Sequence, residues 1–252
     1  MCRTCGCDAD HDHDHEHQHA HGHEHHAHVH PHPHAPRRIS VETELLAKND
    51  RLAHEVRARL AWDGIAAYNL IGSPGAGKTT LLERTIRALD DVPIAVIEGD
   101  QATDHDARRI AATGVRVVQV NTGAGCHLDA AMIDRGLGEL ELGPRSLLLV
   151  ENVGNLVCPA LFDLGERAKI VVMSVTEGED KPLKYPHVFR AATAMVLTKM
   201  DLVPHLDIDP ERIAEYAYQI NPSLRVFSVS ATREASMAEW CGWLREQIGQ
   251  PS

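Results

Sequence analysis

Residues 72–79 read Gly72-Ser73-Pro74-Gly75-Ala76-Gly77-Lys78-Thr79, an ungapped match to G-x-x-x-x-G-K-[ST]. Glycines at this spacing let a loop wrap so that its backbone N–H groups point inward at phosphate oxygens. A helix opening at the end of the loop adds its positive N-terminal end. Lys78 then reaches the β and γ phosphates of a nucleoside triphosphate, and the Thr79 hydroxyl ligates Mg²⁺, with Thr80 beside them. The chemistry these residues point to is phosphoryl transfer, with Lys78 and Thr79 in the catalytic set.

Other segments extend that site. Thr198-Lys199-Met200-Asp201 follows an apolar run and is similar to the guanine-reading N-K-x-D, with Thr198 at the position of the usual Asn. The Asp201 carboxylate can accept from guanine N1–H and the 2-amino group, a pair adenine lacks, so the wrong base leaves a charge unpaired. The Lys199 stem can lie over the base, and Ser230-Ala231 follows another strand where a backbone N–H could meet the base oxygen. Glu98-Gly99-Asp100 ends the second strand, and Asp100 is a candidate Mg²⁺ ligand, directly or through water. Asp104 and Asp106 are both candidates to orient the attacking water. Glu151-Asn152-Val153-Gly154 resembles D-x-x-G with Glu for Asp, so that Gly154 N–H would sense the γ phosphate. Helix caps and exposed loop charges are the alternative reading of these acids.

The remaining chemistry is that of metal ligands. Cys2-x-x-Cys5-Gly6-Cys7 puts three thiols within six residues, and thirteen of the 18 histidines lie between His11 and His34. Imidazole suits nickel, copper and zinc rather than magnesium. That many ligands without fixed geometry suit a metal store. A third set is Cys126-His127 and Cys158. Adjacent Cys and His do not readily enclose an ion alone; two copies facing across a two-fold axis, each adding Cys158, would. The same residues also fit a Cys158 that is a small buried hydrophobe and a His127 that caps a helix.

The elements that must position these groups follow from apolar patterning. Short apolar runs at 67–71, 94–97, 115–120, 146–150, 170–175, 194–197 and 226–229 read as strands, and their continuous apolarity implies cover on both faces. Helical spacing at 81–89, 107–113, 128–137, 211–220 and 238–248 separates most of them, and a further amphipathic helix runs from Val41 through Leu60 to end near Gly64. The expectation is an α/β fold with a mostly parallel central sheet and helices on both faces. Residues 1–38 carry six acids and three Arg with almost no large apolar side chains, and read as a metal-binding leader, disordered without metal, ahead of a nucleotide-binding domain at 39–252. The chain as a whole has 25 Lys+Arg against 36 Asp+Glu, a net charge of −11, which argues against a general nucleic-acid binder. No apolar run approaches the ~20 residues of a membrane span, and no apolar signal segment follows Met1. A cytoplasmic, reducing compartment is expected, in which the cysteines bind metal rather than pair.

Together the quoted segments resemble the HypB family of GTPases, which assist nickel insertion during NiFe-hydrogenase maturation. The segments are C-x-x-C-G-C, the histidine-rich linker, G-S-P-G-A-G-K-T-T at 72–80, G-D-Q-A-T at 99–103, T-G-x-G-C-H-L-D-A at 122–130 and E-N-V-G-N-L-V-C-P at 151–159. The resemblance implies the P-loop NTPase fold shared with UreG and the nitrogenase iron protein. It implies slow hydrolysis of GTP to GDP with Mg²⁺, and a nucleotide- or metal-linked homodimer. It also implies partnership with a HypA-like maturation protein and the hydrogenase large subunit. By the same resemblance Cys2, Cys5 and Cys7 form a tight Ni²⁺ site, and Cys126, His127 and Cys158 a second site for Ni²⁺ or Zn²⁺. A metallochaperone for urease or a cobalt enzyme, and a protein mainly storing nickel, are the competing readings.

Overall fold

The computed structural model describes residues 37–101, 103–123 and 125–248. The cysteines at 2, 5 and 7 and the histidines at 11–34 lie outside the described residues. The elements run α1 (Arg37–Trp62), β1 (Ala66–Ile71), α2 (Lys78–Ala88), β2 (Ile94–Asp100), α3 (His105–Ala111), β3 (Arg116–Asn121), α4 (Ala130–Glu139), β4 (Leu147–Glu151) and α5 (Cys158–Leu161). They continue with β5 (Ala168–Ser174), α6 (Lys181–Lys184), α7 (Pro186–Ala191), β6 (Ala192–Thr198), α8 (Pro210–Ile220), β7 (Arg225–Ser228) and α9 (Ala238–Gln247).

The seven strands form one sheet in the order β3-β2-β4-β1-β5-β6-β7, and every pairing is parallel. All seven expected strands are present within a few residues of their expected bounds. Burial explains why they were legible: β1 and β4 are buried at every position, so their apolar runs have no polar alternation. Three short helices, α5, α6 and α7, were not foreseen. At four to six residues they are too short to show a helical period.

Side-chain parity sorts the core into two faces, because successive strand residues point to opposite sides of the sheet. Tyr68, Leu70, Val96, Leu147 and Leu149 pack with Leu81 and Leu82 of α2 and with Trp240 and Leu244 of α9. Ala67, Ala95, Ile97, Leu148 and Val150 pack with Val56 and Leu60 of α1 and with Ile133 and Leu137 of α4. Farther along, Val171, Met173, Met195 and Leu197 meet Phe189 of α7 and Ile213 and Ala217 of α8. Cys241 is buried within the first of these clusters, together with Trp240 and Trp243. No helix among the described residues is long and apolar enough to cross a membrane.

Candidate functional site

The loop from β1 to α2 lies at the carboxyl ends of the strands. Gly72 cannot carry a side chain, because a Cβ there would stand 2.3 Å from the Val172 carbonyl oxygen of β5. Gly77, with φ 93°, turns the chain through the left-handed region into α2. Lys78 is buried, and its Nζ donates to the carbonyls of Gly72 (3.1 Å) and Ser73 (3.4 Å). The ammonium therefore rests on the loop's own oxygens, at the position from which it would reach phosphate. Burial pulls its pKa down, against the opposing pull of Glu151, Asp106, Glu177 and Glu98.

Thr79 Oγ1 donates to Glu151 Oε1 at 2.8 Å. Glu98 and Glu151 are register partners on β2 and β4, and both line the cavity in front of the loop. Each is almost fully buried, and each leaves its Oε2 without a hydrogen-bond partner. Burial, followed by mutual repulsion, raises the Glu98 carboxyl to about 8. Burial likewise raises Glu151 to about 7, with Lys78 and the Thr79 hydrogen bond opposing it. Two orphaned carboxylate oxygens beside a threonine hydroxyl make an all-oxygen donor set, the kind a hard divalent cation such as Mg²⁺ takes.

The cavity holds about 520 Å³ and is lined by Gly75, Gly77, Lys78, Thr79, Thr80, Asp100, Glu151, Gly154 and Lys199 among others. These nine are sequence-predicted residues, and the fold brings them together. Asp106 also lines the cavity, held by Arg109, which bonds Asp106 at 3.2 Å, Thr80 Oγ1 at 3.1 Å and Glu83 at 2.6 Å. Asp104 is not brought in. It stands at the start of α3, and its carboxylate pairs with Arg108 one turn on at 2.5 Å. Of the two acids the sequence left open, the fold turns Asp106 inward. Asp100 reaches the wall but also accepts from Gln101 N (2.5 Å) and Thr103 Oγ1 (2.7 Å).

A smaller cavity of about 140 Å³ adjoins the first, sharing Gly77, Thr80 and Lys199, and is walled by Thr198, Asp201, Ala231 and Thr232. Thr198 Oγ1 donates to the Ala76 carbonyl at 2.6 Å, tying the base-contact loop to the phosphate loop. Lys199 adopts φ 60° and reaches the Gly75 carbonyl at 2.7 Å. Ser230 Oγ donates to Asp201 Oδ1 at 2.5 Å. That hydrogen bond holds the Asp201 carboxyl below its usual range and keeps it an acceptor. Ser230 therefore supports Asp201 from behind. Gly72, Ser73 and Ala76 likewise stand behind the lining, with the Ser73 hydroxyl accepting from Lys181 of α6 at 2.5 Å.

The metal-type residues lie on the other face of the sheet. Cys126 and His127 sit in the loop from β3 to α4, and Cys158 opens α5. Their ligand atoms all lie within 4.8 Å of one another, with Cys126 Sγ 3.7 Å from His127 Nδ1. One chain brings all three together: the adjacent Cys126 and His127, which do not readily enclose an ion alone, are joined by Cys158 of the same chain. Burial lowers the His127 pKa, with Asp129 opposing, and so favours the neutral imidazole that binds metals.

Parity explains how the two sites connect. Glu151 points to the α2 face and Asn152, the next residue, to the opposite one. The buried Asn152 Oδ1 accepts from Leu128 N at 3.1 Å, directly after His127, while its Nδ2 donates to Asn69 Oδ1 at 3.1 Å. Asn69 in turn donates to the buried Glu166 at 3.3 Å, which pairs with Lys169 at 2.6 Å. Glu98, Arg109, Asn152 and Lys181 were not assigned from sequence. A Glu or Asn ending a strand carries no signal of the direction it faces until the register is known.

A family model, the CobW/HypB/UreG nucleotide-binding domain, matches residues 66–228. Hydrogenase maturation factor HypB of Azotobacter chroococcum mcd 1 is 56% identical over 214 residues, 84% of this chain and 70% of that protein. The crystal structure of HypB from Helicobacter pylori in complex with nickel superposes with a TM-score of 0.76 at 37% identity, over 79% of this chain and 94% of that one. The crystal structure of hydrogenase maturation factor HypB from Archaeoglobus fulgidus gives 0.74 at 39% identity, over 80% and 98%.

Proposed function

From the premise that this chain belongs to the HypB family of hydrogenase maturation factors, within the CobW/HypB/UreG nucleotide-binding proteins, we propose that it is a GTP-hydrolysing nickel metallochaperone. One observation carries this reading. The segment from Glu151 to Cys158 touches the phosphate cavity at its first residue and supplies a metal-type ligand at its last. A state change at the nucleotide would then reach the metal.

In this reading Lys78 leaves the Gly72 and Ser73 carbonyls for the phosphate oxygens, at which the loop N–H groups also aim. Thr79, Glu151 and Asp100 would hold Mg²⁺, with Glu98 adding an oxygen, and a cation held there would supply positive charge beside the transferred phosphoryl group. Asp106, held by Arg109, orients the attacking water. Asp201 reads the guanine edge, and the Thr198 hydroxyl substitutes for an amide in bracing the phosphate loop. Cys126, His127 and Cys158 hold Ni²⁺ as cargo, or Zn²⁺. Residues 1–38 form a separate leader, Cys2, Cys5 and Cys7 a tight nickel site and the histidines from His11 to His34 a store. A homodimer, a HypA-like partner and the hydrogenase large subunit complete the proposed delivery route, in the reducing cytoplasm.

The test is Ni²⁺ affinity read from the thiolate-to-Ni²⁺ charge-transfer band, to which the leader histidines do not contribute, in the full chain carrying Cys2→Ser, Cys5→Ser and Cys7→Ser, with GDP or a non-hydrolysable GTP analogue. Different Ni²⁺ affinities in the two states support the coupling, and equal affinities overturn it. Linkage demands the reciprocal effect, a shift of nucleotide affinity by Ni²⁺.

A further inference from the structure

Phe162 ends α5 and lies face to face with the His127 imidazole, ring centroids 3.7 Å apart and planes 21° from parallel. The same short helix begins at Cys158. One element therefore presents a sulfur at its first residue and a flat ring just past its last, both against the loop that carries Cys126 and His127. The loop beyond Phe162 is anchored independently. Asn49 of α1, itself buried, donates to the Asp163 carbonyl at 2.8 Å and accepts from Ala130 N at 2.9 Å. Arg57 pairs with the Asp163 carboxylate at 2.6 Å. Asn49 thus ties the chain just after Phe162 to the chain just after His127, and the two rings are braced against each other by the rigid first helix.

A histidine on a loop has two side-chain torsions to lose before its nitrogen is aimed at an ion. Many metal-bound histidines lose them to a hydrogen bond from the second ring nitrogen. A stacked aromatic ring does the same work by restricting the plane of the imidazole. We propose that Phe162 is a positioning residue of the metal site, holding the His127 ring in the plane in which its nitrogen converges with the Cys126 and Cys158 sulfurs. This rests on reading those three residues as a metal site. The stack needs a flat π face, so an aliphatic side chain of similar bulk fills the space without orienting the ring.

The experiment uses the full chain with the three leader cysteines changed to Ser, so that thiolate-to-Ni²⁺ charge-transfer absorption reports Cys126 and Cys158. In that background Ni²⁺ should give the band, and Cys158→Ser should remove it. Phe162→Leu should weaken Ni²⁺ binding by roughly tenfold or more and move the band toward that of His127→Ala. Phe162→Tyr, which keeps the flat face, should stay within about threefold of the parent, and GDP affinity should be unchanged in both variants. A Phe162→Leu protein with parental affinity and band overturns the positioning role and leaves the metal site standing. No band in the background, or one that Cys158→Ser leaves intact, overturns the metal site itself. If Phe162→Leu loses GDP and Ni²⁺ binding together, or Phe162→Tyr fails as badly, Phe162 is a packing residue and the proposal is wrong.

Discussion

The two faces of the sheet solve the same problem, holding groups ready for a ligand, in opposite ways. On the α2 face the donors and acceptors belong to the phosphate loop, to strand ends and to α3, and polar groups hold one another: Lys78 on loop carbonyls, Thr79 on Glu151, Arg109 on Asp106. On the α4 face the three metal-type ligands come from two loops 32 residues apart, counting from Cys126 to Cys158. There, buried amides, a ring stack and the Arg57–Asp163 pair behind it fix the geometry. The nucleotide face is preorganised by local sequence, and the metal face only by packing. Between them runs a single peptide bond, Glu151 to Asn152, whose side chains take opposite sides.

That contrast can be broken most sharply at Cys158. Cys158→Ser should weaken Ni²⁺ binding at the second site by at least about 100-fold, exceeding a supporting-shell change, while GDP affinity holds; calorimetric titration of both ligands checks it. The converse change is Lys78→Ala. It should cost nucleotide affinity about 2–3 kcal/mol, roughly 30–150-fold, and leave metal binding in place, as measured by fluorescent-nucleotide and Ni²⁺ titrations.

Asn152→Ala attacks the connection. It strands the Leu128 N–H and the Asn69 side chain, so stability should fall by about 1–3 kcal/mol in denaturant titration. The difference in Ni²⁺ affinity between GDP and GTP-analogue states should shrink toward none. An undiminished difference would place the coupling elsewhere.

A gentler effect comes from pH. Glu98 is raised to about 8 in the folded protein, so between its ordinary value and 8 the folded state holds the extra proton. In the nucleotide- and Mg²⁺-free protein the Glu98 contribution to stability is therefore fully present below its ordinary value and is lost as pH rises toward 8. Thermal melts from about pH 6 to 8.5 should slope downward, and Glu98→Gln should flatten part of that slope. Mg²⁺ should offset the same loss by pairing the ionised carboxylates. Smallest is Thr198→Val, which removes one hydrogen bond to the phosphate loop and should cost about 1 kcal/mol of nucleotide affinity.

The seven strands and the phosphate loop were legible because each is a local pattern: a run of apolar residues buried on both sides, or glycines and a lysine at fixed spacing. Asp201 was legible for the same reason. Asp104 and Asp106 were not separable, because two residues on a helix start differ by about half a turn and only the position of α3 decides which faces the cavity. Arg109, three residues beyond, then fixes Asp106. Cys126, His127 and Cys158 were legible as a set, but nothing local reveals that the start of α5 sets Cys158 against the other two within one chain. Phe162 carries no local signal of the stack it makes with His127.

By itself the sequence determined the strand and helix pattern, the phosphate loop and the candidate ligands, since these depend on nearest neighbours along the chain, on backbone permissiveness and on side-chain chemistry. Tertiary structure alone decided which way each strand-end residue points and which distant ligands meet. Sheet register sends Glu151 to the nucleotide and Asn152 to the metal loop, and packing of α1 across 49, 130 and 163 brings ring against ring. The physical reason is the strand's period of two: a side chain's identity is local, but its address is set by the neighbours that pin the register.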